Sequence, residues 1–123
     1  MQKAIVIPTS KDKYYRQLFE FLRPISPFNK LNNRDLDVLA GLFTEYMGLK
    51  GLDHKQRCSY IFSKDVRKKS TEKIGMSSAA YNNSINKLKK ANIIEEGNTI
   101  PLYLIKQLIP KSKIEIHFKW KKE

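Results

Sequence analysis

The stretch Ile74–Ile94, reading IGMSSAAYNNSINKLKKANII, constrains this chain more than any other. Gly75, Met76 and Ser77 form a short turn-like junction, and apolar residues recur at helical spacing after it. Ser77 suits the N-cap of the second helix. Within that helix Tyr81, Ile85 and Leu88 fall on one stripe, which predicts a helix to about Ala91 with that stripe buried. Upstream, Ser63 can cap a helix that carries Asp65 near its positive end, runs to Ile74 and stops at Gly75. Downstream, Asn92-Ile-Ile-Glu-Glu reads as a strand, Gly97-Asn98 as a two-residue hairpin turn, and Thr99-Ile100 as the start of a return strand. Pro101 makes that return an edge or ends it.

The remaining segments are read from the same periodicities. Lys3–Pro8 is a β-branched run ended by proline and predicts a strand. Tyr14, Tyr15, Leu18, Phe19 and Leu22 predict a helix over 11–23, and two prolines at 24 and 27 break the chain after it. Asn32 can cap the next helix with Asp35 at its third position, and Leu31 can staple to Leu36. Leu36, Leu39, Ala40, Phe43, Tyr46 and Met47 then share a face. A short helix is expected over 53–62. Residues 102–109 suit either a strand or a helix. Ile114, Ile116, Phe118 and Trp120 alternate with polar residues and predict a half-buried strand. The expected fold class is α+β, mainly α. Its parts are an N-terminal strand and helix (1–30), a winged helix-turn-helix core (31–100) and a C-terminal extension with a basic strand (101–123).

These residues carry a family resemblance. IGMS, then Tyr81, Ile85, Leu88 and the Ile93–Ile94 pair, resemble the winged helix-turn-helix family of bacterial and phage regulators, over roughly residues 34–100. The chain departs from that pattern at Asn92, where glycine is common, and at Tyr81 and Ser70, where aliphatic residues are. The phrases LRPISPFNKLNNRDLDVLAGLF and FSKDVRKKSTEKIGMS are also similar to small bacteriophage proteins. The resemblance implies a DNA-binding regulator whose second helix enters a major groove.

Charge points the same way. The chain has 123 residues and a formal net charge of +12. Residues 63–90 hold eight basic and two acidic groups, half of the excess. Such clustering reads as the electrostatic footprint of a polyanion partner, which the resemblance implies is double-stranded DNA. On the helix from Ser77 the outward positions are Ser78, Ala79, Asn82, Asn83, Asn86 and Lys87. Asparagine can bond adenine, lysine guanine or phosphate, and Ala79 can touch a thymine methyl. Lys64, Arg67, Lys68, Lys69 and Lys73 before the turn, with Lys89 and Lys90 after it, are the expected phosphate contacts. The wing tip, Glu95-Glu96-Gly97-Asn98, is acidic, unlike wings that grip a minor groove.

Other chemistries find little support. One cysteine excludes an internal disulfide, and His54, Cys58 and His117 do not make a standard metal site, so no cofactor or metal is expected. Asp35 and Asp37 read as helix-dipole partners rather than an acid–base pair. Cys58 reads as packing, His54 and His117 as surface residues, and no enzyme activity is expected. No apolar stretch reaches the roughly 18–20 residues of a membrane span, and no signal peptide is expected, because the apolar run from Ala4 to Pro8 is too short. A cytoplasmic location in a bacterial or phage-infected cell is therefore expected. The alternative is a virion or assembly component that uses the fold for protein contacts, with edge strands 4–7 and 114–120 pairing with each other or recruiting another chain.

Overall fold

The computed structural model describes residues 2–8, 13–108 and 113–119; of the first and last of these stretches only the backbone is described. Six helices follow in order: α1 (Tyr14–Leu22), α2 (Asn33–Gly48), α3 (His54–Ile61), α4 (Lys64–Ile74), α5 (Ser78–Lys90) and α6 (Leu102–Gln107), with a 3-10 turn at Phe28–Lys30. No strand or sheet lies among residues 13–108, so the described core is built by helices alone. The expected α+β class is thereby corrected to a mainly helical one. Outside this body, the backbones of Gln2–Pro8 and Lys113–Lys119 run antiparallel, with Ile5 opposite Ile116. The shared apolar face expected of Ile114, Ile116, Phe118 and Trp120 concerns side chains outside the described residues.

The helix starts follow local hydrogen-bond chemistry. The Asn32 side chain accepts the Asp35 N–H at 2.9 Å, and the Asp35 carboxylate accepts the Asn32 N–H at 3.0 Å, a reciprocal cap on α2. Asp53 and Gln56 make the same box at α3. Ser63 and Ser77 cap α4 and α5 through their hydroxyls.

A continuous core joins all three expected segments. Tyr15, Phe19, Phe28 and Phe43 pack ring against ring, with centroids 5.2 to 6.1 Å apart. Leu36, Leu39, Ile61, Leu88, Ile93, Ile94 and Ile100 are fully buried beside them, and Ile105 of α6 closes the cluster. The Tyr15 hydroxyl donates to the Leu108 carbonyl at 2.5 Å, tying α1 to the end of α6. The region 102–109, open between strand and helix, is helical at least to Gln107, while residue 109 lies outside the described residues.

The expected wing is corrected as well. Only a single bridge, Glu95 with Thr99, stands where a β-hairpin was anticipated. The reason lies in how α5 ends. Asn92 takes φ 61. Its N–H bonds the Lys89 carbonyl, and the Ile93 and Ile94 N–H groups both reach the Leu88 carbonyl at 3.0 and 3.2 Å. This is a Schellman closure with asparagine in the left-handed position usually held by glycine. The N–H groups of residues 92–94 that a strand needed are committed to the helix end, and both isoleucine side chains go into the core.

Candidate nucleic-acid interface

α4 and α5 meet through a hydrogen-bonded turn. Gly75 adopts φ 78, and the next residue, Met76, donates its N–H to the Thr71 carbonyl at 3.0 Å. Only a residue free of a Cβ takes this conformation cheaply. Ser77 then accepts the Ala80 N–H at 3.1 Å and starts α5.

α5 buries Tyr81, Ser84 and Leu88, with Ile85 half-buried. Ser78, Ala79, Asn82, Asn83 and Asn86 are exposed. Five of the six expected base-contacting residues thus share the solvent side of one helix.

Lys87 does not join them. Its ammonium bonds the Asp35 carboxylate at 2.5 Å, and the Ser84 hydroxyl donates to the same carboxylate at 2.7 Å. Asp35 is 1% exposed. Burial opposes its ionisation, yet the hydrogen bonds from Lys87, the Asn32 N–H and Ser84 outweigh burial and hold its carboxyl below the ordinary value. Lys87 is therefore a junction residue between α2 and α5, set apart from the other five expected base contacts. Asp35 is more than a dipole partner. Its companion Asp37 is also engaged, accepting from Arg16 Nε at 2.7 Å.

The expected phosphate contacts divide. Lys64, Lys68, Lys73 and Lys90 are exposed, and Arg67 and Lys89 are half-buried. Arg67 donates to the Asn82 side-chain oxygen at 3.4 Å, linking the two helices across their outer surface. Lys69 bonds Glu45 of α2 at 3.0 Å, which pushes its ammonium above the ordinary value. Lys69 and Lys73 also line a groove of about 360 Å³ that includes Arg16, Asp37 and Glu45 over Ala40 and Gly41. Glu45 competes with any phosphate for Lys69.

Sequence reasoning missed one further cluster. Tyr46 Oη and His54 Nδ1 are 2.7 Å apart, Cys58 Sγ lies 3.7 Å from His54 Nε2, and the Arg57 guanidinium sits 5.1 Å from the Tyr46 ring centre. His54 is half-buried and partnered, correcting the expected surface role. Burial pushes the Cys58 thiol up, which keeps it neutral and poorly nucleophilic. The i, i+4 spacing of His54 and Cys58 was the available signal; Tyr46, on another helix, left none.

Among the described residues no group of three or more His, Cys, Asp or Glu is placed to hold a metal ion. No described helix is long and apolar enough to cross a membrane. No family model, curated protein or solved structure matches this chain.

Proposed function

We propose that the surface formed by α4, the 75–77 turn and α5 binds double-stranded DNA, as in a small transcription or replication regulator. The observation that carries this reading is the outer side of α5. It presents Ser78, Ala79, Asn82, Asn83 and Asn86 to solvent on a helix without a single acidic residue. Lys64 and Lys68 of α4 and Lys90 of α5 are exposed, and Lys73, also exposed, lines the groove toward α2. Carboxamides in a major groove can read base edges, and the lysines can fix register on phosphates without reading sequence. The acidic loop at Glu95 and Glu96 is exposed and is left out of the interface.

A fluorescence titration of duplex DNA across salt tests the reading. Four to five phosphate contacts imply a log–log salt slope of about −4. Lys68→Ala should reduce the slope by about one. Lys87→Ala should leave it unchanged, because that ammonium is on Asp35. Absence of binding at low salt overturns the proposal.

A further inference from the structure

A second recess lies on one edge of this surface, between the end of α3, the outer sides of α4 and α5, and the 95–99 loop. Its volume is about 350 Å³. That falls within the roughly 300–1,000 Å³ of small-ligand sites, at the end that suits a single nucleotide. Arg67 and Lys89 supply two cations to its lining, and no carboxylate lines it. Neither cation has a carboxylate partner among the described residues. Asn82, Asn86 and Asn98 add three carboxamides, each with donors and an acceptor. Phe62, Tyr81 and Ile85 provide an apolar wall. Asn98 is held in the left-handed region, φ 59, beside Gly97, in the loop closed by the Glu95–Thr99 bridge.

The ligand chemistry follows from that lining. Two cations without a counter-charge favour an anion, and a guanidinium suits phosphate above other small anions because it can bond two of its oxygens. Carboxamides match the mixed donors and acceptors of a base edge. The apolar wall accepts a flat ring. A cationic ligand would meet two like charges, and a purely apolar one would cover Lys89, Asn86 and Asn98 without offering them a partner. We infer that this recess binds a mononucleotide 5′-phosphate, with Arg67 and Lys89 on the phosphate and Asn82, Asn86 and Asn98 on the base or sugar. The nucleotide is either free or the phosphorylated end of a strand. The inference does not rest on duplex binding, which concerns the whole outer surface of α5.

Calorimetric titration of the full chain at low salt tests it. The probes are inorganic phosphate, the four deoxynucleoside 5′-monophosphates, the matching nucleosides, and a short single-stranded oligonucleotide with and without a 5′-phosphate. At least one monophosphate should bind saturably at one site, about tenfold or more tighter than its nucleoside and than inorganic phosphate. Arg67→Gln combined with Lys89→Gln should lose about tenfold or more. Asn86→Leu, which fills the recess with a better helix former, should weaken the monophosphate, while Asn83→Ala and Lys90→Gln outside it should not. A phosphorylated strand tighter than the free nucleotide assigns the site to strand ends, and the reverse order assigns it to a free nucleotide. No saturable binding, equal binding of nucleoside or inorganic phosphate, or indifference to the double substitution overturns the inference. Duplex DNA titrated in parallel separates the two readings: duplex binding without monophosphate binding removes the recess alone, and the converse removes the DNA interface alone.

Discussion

α5 carries the same residue types on two sides with opposite fates. On its inner side Ser84 and Lys87 converge on buried Asp35, which also accepts the Asn32 N–H, so one carboxylate caps the start of α2 and anchors α5. On its outer side Ser78 and Lys90 face solvent, and Asn83 and Asn86 have no hydrogen-bond partner among the described residues. What lies across from a side chain decides its role, and composition does not. A lysine counted in a basic footprint is unavailable to a polyanion when a buried carboxylate already holds it. Conversely, asparagine is a poor helix former, and Asn83 and Asn86 stand on the outer face without a partner there, a place that suits contact rather than stability.

The largest expected effect breaks the inner side. Asp35→Ala leaves the Ser84 hydroxyl and the Asn32 N–H without an acceptor and strands Lys87. A buried ion pair broken from one side costs more than this when both partners are enclosed, but Lys87 is 43% exposed and can turn to water. The expected loss is about 3 kcal/mol in urea unfolding. Asn83→Ala, on the outer side, should stay within about 0.5 kcal/mol. Equal stability of the two variants would show that the inner side is no junction.

The outer side is sharpened next. Asn83→Ala should cost about 1–2 kcal/mol of affinity on a preferred duplex site and flatten its preference. Asn82→Ala should cost less in selectivity, because the Asn82 oxygen already accepts from Arg67. Identical behaviour of the two, measured by competition between sites, would mean that α5 reads no bases.

Much of this architecture is legible locally. Asn32, Ser63 and Ser77 announce helix starts and Gly75 a stop, because capping depends on atoms within three or four residues. The exposed positions 78, 79, 82, 83 and 86 of α5 follow from its period. What escapes is set by distance along the chain. Ser84 meets Asp35 across 49 positions, and nothing in either neighbourhood signals the other. The wing failed for a different reason. Ile93 and Ile94 have the apolar, β-branched character of a strand, but Asn92 in a left-handed turn folds their N–H groups back onto α5. The asparagine was visible as a departure from glycine, and its consequence for the next two residues was the missing step.

Acid separates the two sides by a smaller margin. Asp35 stays ionised in the fold at a pH where the unfolded chain has taken up a proton. Its contribution is complete above the ordinary carboxyl value of about 4 and is lost as pH falls through its lower folded value. Between those limits one proton gives a slope approaching ~1.4 kcal/mol per pH unit. The stability of the wild-type chain should therefore fall more steeply below about pH 4 than that of Asp35→Asn. Parallel curves would show that the Lys87 contact does not persist in solution.

The smallest expected effect concerns a lysine between the two fates. Lys69 reaches Glu45 at 3.0 Å, but Lys69 is largely solvated and salt screens the pair. Such a contact holds a side chain in place without stabilising the fold measurably. Glu45→Gln should therefore leave the melting temperature unchanged. It should also remove a carboxylate that repels the DNA backbone and release Lys69 toward it, so duplex affinity should rise slightly and the salt slope should steepen. Lys69→Ala in the Glu45→Gln background should then cost more affinity than in the wild type, because the lysine is engaged with DNA only when its carboxylate is gone. An equal loss in both backgrounds would mean that the surface pair imposes no competition, and that Lys69 belongs with Lys68 on the outer side rather than with Lys87 on the inner one.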